Sequence, residues 1–183
     1  MLKSRCFERI SYLILVSAAP LALFVLEPAW GDVRPEKVQT SDVRKTNVYL
    51  PDGVVVGGDR AINDPVITGI RRAGNAGFDR VVIDIEANVN GSPAPIPRPP
   101  YYQVAVNKEE KRVVVTVSGN PRLSFDSEKV LAGFGKSPVV NKVMLFPRMN
   151  EASWTFALEL KAAAPIEVFE LTDPVRIVID IRR

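Results

Sequence analysis

The sequence of 183 residues predicts an all-β fold, and three observations indicate it. An alternating run rich in β-branched residues occurs twice, as FDRVVIDI at residues 78–85 and as PVRIVIDI at residues 174–181. From residue 65, further short alternating segments follow one another between turns and loops, and the stretch at 119–136 breaks this period of two. Short strands joined by tight turns are typical of a β-sandwich or a small barrel.

The two copies of the repeated run match at their charged positions. Arg80 and Asp84 of the first copy correspond to Arg176 and Asp180 of the second. Because side chains alternate along a strand, these residues lie with Val82 on the face opposite the apolar row, and we expect them to face outward. If the copies pair antiparallel about their central valines, Arg80 faces Asp180 and Asp84 faces Arg176. In the alternative, the copies are symmetry mates in different sheets and their charges have other partners.

Residues 1–31 have the pattern of a secretory signal peptide. Basic residues precede an apolar run at 10–26, and small residues at 29–31 suit cleavage after Gly31. This pattern predicts export across the inner membrane to the periplasm or cell envelope, with no membrane span left after cleavage. A retained anchor is the alternative, although the run is short for a stable span.

The rest of the chain is predicted to contain a linker and one domain. Residues 32–64 are polar and mixed, and we interpret them as a largely disordered linker. Within them, 48–50 and 54–56 are candidate short strands about a Pro-Asp-Gly turn. The regular strand pattern begins at residue 65, and residues 65–183 are predicted to form the domain.

The domain is predicted to contain seven or eight short strands and one short helix. The helix is expected from Ser127, as its N-cap, to Phe134. Five prolines within 93–100 forbid a regular strand interior and predict an extended loop over 88–100. The strands are expected at residues 66–72, 78–87, 101–107, 112–118, 138–147, 152–161, 165–171 and 175–183.

The composition argues against most catalytic and metal-binding chemistry. The chain has no histidine, and its one cysteine, Cys6, lies in the predicted leader. Phosphate-binding glycine motifs are absent, and the net charge of +3 is spread over a mixed surface that does not suggest a nucleic-acid partner. A carboxylate pair, Asp84 and Asp180, remains formally available, but each follows an arginine on its own face, so ion pairs are the simpler interpretation. We therefore predict no enzyme, no cofactor and no metal.

Two groups of residues are candidates for binding. One group is the charged face of the repeated run, and the other is the end of the proline-rich loop, since arginine and aromatic residues are favoured at binding surfaces. The candidate binding residues are Arg80, Asp84, Arg98, Tyr101, Tyr102, Arg176 and Asp180.

The repeated motifs resemble those of the AMIN domain, and more closely the AMIN-like domains of secreted bacterial proteins. Residues 77–82, GFDRVV, match the pattern G-[FY]-D-R-V-V of their first strand. Asp173, Pro174, Arg176, Val178 and Asp180 match the pattern D-P-x-R-x-V-x-D of the last strand. The resemblance covers residues 66–183 and implies a β-sandwich of two sheets in the cell envelope.

AMIN domains accompany periplasmic amidases and secretins and target them to peptidoglycan or to the division site. No such module follows in this sequence, so the resemblance implies a free-standing, non-catalytic module that binds peptidoglycan or an envelope protein. The alternative from the residues alone is a small periplasmic β-barrel that carries an apolar ligand or acts as a chaperone, since valine-rich strands line pockets as well as cores. The sequence predicts no particular oligomeric state.

Overall fold

The fold is a sandwich of two β-sheets, as predicted. The computed structural model describes residues 38–89, 92–147 and 152–183, and the predicted leader lies outside them. In chain order the elements are β1 (Val38–Thr40), β2 (Gly53–Gly57), β3 (Pro65–Asn75), β4 (Phe78–Val89), β5 (Ser92–Ala94), β6 (Tyr102–Asn107), β7 (Arg112–Ser118), β8 (Arg122–Leu123), α1 (Ser127–Phe134), β9 (Val140–Leu145), β10 (Ser153–Leu160), β11 (Ile166–Thr172) and β12 (Val175–Arg182).

The strand order places the repeated run at the centre of one sheet. The first sheet has the order β1-β2-β6-β7-β10-β9. The second sheet has the order β11-β12-β4-β3-β8, with β5 paired to β4. The sandwich contains more strands than expected because β1, β5 and β8 are short strands in segments that lack a clear alternation, whereas β2 confirms the candidate strand at 54–56.

The inner faces of the two sheets form one apolar core. The alternating rows of β7, β10 and β12 are fully buried, as their period of two predicts. Trp154 and Phe156 stack with ring centroids 5.4 Å apart, and Phe125 packs on the same indole at 5.7 Å. On β4, Val81 and Ile83 are fully buried, and the side chains of both sheets join a common cluster. The interior is therefore occupied by packed side chains.

Helix α1 closes one side of the sandwich. It packs against β3 of the second sheet and β9 of the first, and it buries Val130 and Phe134 in the core. Its N-cap is Asp126 and not Ser127, because the Asp126 carboxylate accepts hydrogen bonds from the backbone N–H groups of Glu128 and Lys129. The expected helix is thus confirmed, with its cap one residue earlier.

The opposite side is closed by residues 38–57, which the sequence analysis assigned to a largely disordered linker. From residue 38 onward this assignment is replaced by ordered structure, since β2 pairs antiparallel with β6 and β1 pairs with β2. Leu50 exchanges backbone hydrogen bonds of 2.7 and 2.9 Å with Ile166, and both side chains are buried. Val55 also lies in the core. This segment carries apolar side chains and backbone groups that complete both sheets at their edges.

Candidate functional site

The two copies of the repeated run are neighbours and pair antiparallel in the register that their charges favour. Val82 lies opposite Val178, Arg80 opposite Asp180, and Asp84 opposite Arg176. This confirms the paired alternative and excludes copies in separate sheets. We call the outer face of β4 and β12, with these four charged residues, the charged face.

In one half of the charged face the carboxylate is fully buried, although its arginine stays partly exposed. Arg80 donates hydrogen bonds of 2.7 and 2.9 Å from Nε and Nη2 to the two carboxylate oxygens of Asp180, whose side chain is fully buried. Lys45 donates to the same carboxylate and lies 3.7 Å from the ring centroid of Phe78. The hydrogen bonds and charge of Asp180 raise the pKa of Arg80. The pKa of Lys45 is also raised, although burial acts against its charge, because Asp180 outweighs that effect.

Asp180 is covered by the loop 42–50, which contacts β11 at both of its ends. The loop is anchored by Asp42, whose carbonyl accepts the N–H of Glu170, and by Leu50 on Ile166. Between these anchors the backbone N–H groups of Thr46 and Asn47 donate to Oε1 of the buried Glu167. These donors satisfy Oε1, which offsets part of the cost of burying this side chain. The loop therefore covers the Arg80 end of the charged face.

The other half of the charged face is open. Asp84 accepts from Arg71 at 2.7 and 3.0 Å and from Arg176 at 3.0 Å. The side chains of Arg71, Asp84 and Arg176 are 56%, 25% and 28% exposed. Burial acts against the charge of Asp84, but the two arginines outweigh it and lower the pKa of this carboxyl. Asp84 is therefore a fixed anion between two guanidinium groups that solvent reaches.

The second group of predicted residues lies elsewhere. Arg98 donates a 3.3 Å hydrogen bond to Oε2 of Glu170 and is about half exposed. Tyr102 is fully buried and donates to Oε1 of the same carboxylate, so it has no surface to offer a ligand. Burial and the charge of Glu170 raise the pKa of Tyr102. Tyr101 is half-buried and stacks beneath Arg60, with the guanidinium carbon 3.9 Å from the ring centroid.

Glu170 is the centre of this second cluster, and it was not among the predicted binding residues. Its Oε1 atom also accepts from Ser41 Oγ and from the N–H of Gly58, both at 2.8 Å. The Glu170 cluster thus connects the early segment, which is the described chain before β3, to β11 of the sandwich. A signal was present, because Glu170 is in phase with the inward residues Ile166 and Val168 of its strand. A charged residue in an apolar row indicates a buried partner.

Asp79 was missed for the same reason, although it stands within the GFDRVV motif. It is fully buried and in phase with Val81. Its carboxylate accepts from Arg72 at 2.8 and 3.1 Å, from Arg183 at 2.8 Å and from Ser137 Oγ at 2.6 Å. Burial acts against its charge, but these donors lower its pKa to about 2. Asp79 of β4 therefore links β3, the residue that follows β12 and the segment that precedes β9 at one end of the sandwich.

The geometry of these groups favours binding over acid–base catalysis. Asp84 and Asp180 are each paired with two cations. A general acid needs a raised pKa, whereas the pKa of Asp84 is lowered. Within residues 38–89, 92–147 and 152–183, no group of three or more histidine, cysteine, aspartate or glutamate side chains is arranged to bind a metal ion. Over the same residues, no helix has the length and apolar character to cross a membrane.

Comparison with known families agrees with the motifs and the fold. The family model of the AMIN-like domain matches residues 65–183, which is well over half of the chain. No curated protein matches the sequence. The match begins at β3 and ends with the last residue of the sequence, so it contains both copies of the repeated run and the whole open half of the charged face. The chain belongs to the AMIN-like domain family.

Proposed function

We propose that this protein is a non-catalytic module of the cell envelope that binds peptidoglycan through the open half of its charged face. Membership of the AMIN-like family supports an envelope-associated binding or targeting role. The observation that carries the choice of surface is the cluster Arg71–Asp84–Arg176. There two partly exposed guanidinium groups flank a fixed carboxylate.

The chemistry of the cluster suits a ligand rich in carboxylate and hydroxyl groups. Each guanidinium has five N–H donors in a planar fork. Asp84 engages two nitrogens of Arg71 and one of Arg176, and the remaining donors have no other partner among the described side chains. Peptidoglycan presents both kinds of acceptor, on its peptides and its sugars. Because the cluster is held by the central strands of a sheet, its geometry is fixed before the ligand arrives.

A carrier of apolar ligands is less well supported. Such a protein needs an interior cavity, and the inward rows that would line it pack together around Trp154, Tyr102 and Phe156 in one core. The module is proposed to act outside the cytoplasm, as its predicted leader and its family suggest, either on the cell wall or beside an envelope protein that works there.

Sedimentation with purified sacculi tests this function. We expect the protein to bind, and we expect the double substitution Arg71→Gln/Arg176→Gln to weaken binding about tenfold or more, which corresponds to ~1.4 kcal/mol. Lys108→Gln, in the exposed loop between β6 and β7, is the matched control and should bind as the parent protein does. Failure of the parent protein to bind sacculi would refute the proposal.

The same samples test the absence of catalysis. After prolonged incubation, the muropeptide profile of the sacculi should be unchanged. A new cleavage product that disappears when Asp84 is changed to Asn would show that the protein is an enzyme.

A further inference from the structure

A cleft lies between β3 and helix α1, next to the charged face. Its volume is about 590 Å³, within the usual range for sites that bind small ligands. It is lined by Gly69 and Arg71 of β3, by Phe125, and by Lys129 and Gly133 of α1. Asp84 also borders it, so the cleft continues the Arg71–Asp84–Arg176 cluster towards the helix.

One wall of the cleft is an unpaired strand edge. β3 pairs with β4 along nearly its whole length, whereas β8 pairs only with Val66 and Ile67 at its start. Along Gly69–Arg72, every second residue directs its backbone N–H and C=O away from β4 and into the space beside α1. Among the described residues, no backbone hydrogen bond from outside the sheet reaches these four residues. An open edge of this kind pairs readily with an extended peptide.

Both walls of the cleft carry positively charged side chains, Lys129 on α1 and Arg71 on β3. Lys129 is exposed, and its ammonium group has no hydrogen bond or ion pair with any described residue. Arg71 is more than half exposed. The two carboxylates at the cleft are already engaged, since Asp84 binds two arginines and Asp126 caps the helix. The cleft therefore offers the unengaged ammonium group of Lys129 and those donors of Arg71 that Asp84 does not bind, and a carboxylate is the group that complements them.

Two glycines keep the space between the walls open. Gly133 lies one helical turn after Lys129 on the same face of α1, and a Cβ atom placed there would meet nothing within 4 Å. At Gly69 a Cβ atom would meet only Asp84 Oδ2, at 3.4 Å. A side chain at Gly133 would thus enter the cleft without disturbing the core.

We propose that this cleft binds a short extended peptide with a free carboxylate, added as a strand to the open edge of β3. The proposal rests on the proposed function and makes it more specific, because it assigns the peptide branches of peptidoglycan, and not the glycan, as the ligand. Backbone pairing to Gly69–Arg72 positions the peptide, while Arg71 and Lys129 bind its carboxylate. Four paired residues at this edge span about 13 Å, the length of a short branch peptide.

The test compares three soluble probes with the purified protein by calorimetry and by amide chemical shifts. The probes are the free branch peptide, glycan strands from which the peptides have been removed, and an unrelated acidic peptide of equal length. We expect the branch peptide to bind, with the largest shifts at Gly69–Arg72, and its affinity to fall as salt is raised. Binding of the glycan strands alone would overturn the proposal. Equal binding of the unrelated peptide would also overturn it, and would indicate a protein segment as the ligand.

Two substitutions locate the site. Lys129→Glu should weaken peptide binding about tenfold or more through charge, and Gly133→Leu should do so by filling the cleft. Lys136→Glu, exposed just beyond the helix and outside the cleft, is the matched control. If the parent protein binds sacculi and both cleft variants bind them equally well, the proposed function stands and the cleft assignment fails. If the parent protein does not bind sacculi, the function itself fails.

Discussion

Each of three aspartates in the second sheet is held by two cations. This arrangement lets carboxylates lie at or near the centre of a sheet, because a buried charge without a partner is strongly destabilising. One arginine of each pair comes from a neighbouring strand, so the ion pairs also fix the register of the sheet. The three clusters are Arg72–Asp79–Arg183, Arg71–Asp84–Arg176 and Lys45–Asp180–Arg80.

The pair Arg80–Asp180 should be strongly coupled. Arg80→Ala leaves the buried carboxylate of Asp180 with Lys45 as its remaining cation, and Asp180→Ala leaves both cations without their carboxylate. Each substitution should cost about 3 kcal/mol of unfolding free energy. The double substitution should cost clearly less than the sum, and urea unfolding of the four proteins gives this coupling energy. The matched control is the exposed pair Arg112–Glu110, where a coupling within about 1 kcal/mol is expected. Additive losses at Arg80 and Asp180 would contradict the buried pair.

Asp79 should make stability depend on acid pH. Its pKa is about 2 in the folded protein, below its ordinary value of 3.8. The folded state therefore binds the proton less readily than the unfolded state, and the stabilisation is complete above about pH 4 and is lost as pH falls towards 2. Unfolding midpoints in urea between pH 7 and pH 2 measure it. Asp79→Asn should lower the midpoint at neutral pH and flatten its decline in acid, and an unchanged acid profile would contradict this role.

At the scale of elements, the early segment and the sandwich are joined through a close approach at Gly57. A Cβ atom at this position would overlap Ser41 Oγ and lie 2.5 Å from the hydroxyl of Tyr102 and 2.7 Å from Oε1 of Glu170. Only a residue without a side chain leaves room for the carboxylate and its donors. Gly57 therefore allows β2 to run beside the Glu170 cluster.

Gly57→Ala should destabilise the protein by roughly 2–4 kcal/mol, because the added methyl group displaces partners of a buried carboxylate. Thermal unfolding measures the change. Gly133→Ala is the matched control, since its methyl group meets nothing within 4 Å and alanine favours the helix by about 1 kcal/mol. Equal effects at the two glycines would show that the cluster is not tightly packed.

The pairing of β4 with β12 and the burial of their side chains show how much of the fold can be predicted from the sequence. The pairing of β4 with β12 follows from two runs whose charges match only in one antiparallel register. The burial of Asp180 does not follow from the sequence. Loop 42–50 has no periodicity, and it reaches Asp180 through Lys45, which is over 130 residues away in sequence. Val82, expected to face outward, lies on the outer face but is only 7% exposed. Asp79 and Glu170 stand in apolar rows and were detectable, although their partners on distant strands were not.

At the scale of the whole molecule, the folding unit is longer than the region that the family model matches. Residues before 65 supply Ser41, Thr46, Asn47 and Gly58 as donors to the buried carboxylates Glu167 and Glu170. They also cover the edges of β6 and β11. Without them, Glu167 loses its backbone donors, Glu170 keeps only Arg98 and Tyr102, and two strand edges lose their partners.

A protein starting at residue 65 should therefore fail to unfold cooperatively and should aggregate. A protein of residues 38–183 should unfold in one transition, with the same midpoint as one of residues 32–183. Calorimetry and light scattering on the three proteins test this expectation. A fragment of residues 65–183 as stable as the longer two would show that the early segment is dispensable.

The predicted leader gives a test at the same scale. Cleavage after Gly31 should leave an amino terminus at Asp32, because small residues follow the apolar run there. Amino-terminal sequencing of protein from the envelope fraction measures this directly. Recovery of a chain that starts at Met1 in the membrane fraction would indicate a retained anchor.

The pairing of β4 with β12 also affects when the protein folds. The central strand of the second sheet has as its neighbour a strand made almost 100 residues later. The sheet therefore remains incomplete until β12 has been synthesised, and contacts so distant in sequence form slowly. The predicted leader suggests export as an extended thread, and for such a chain a delay in folding would be an advantage. It would leave time for transport before β12 completes the sandwich.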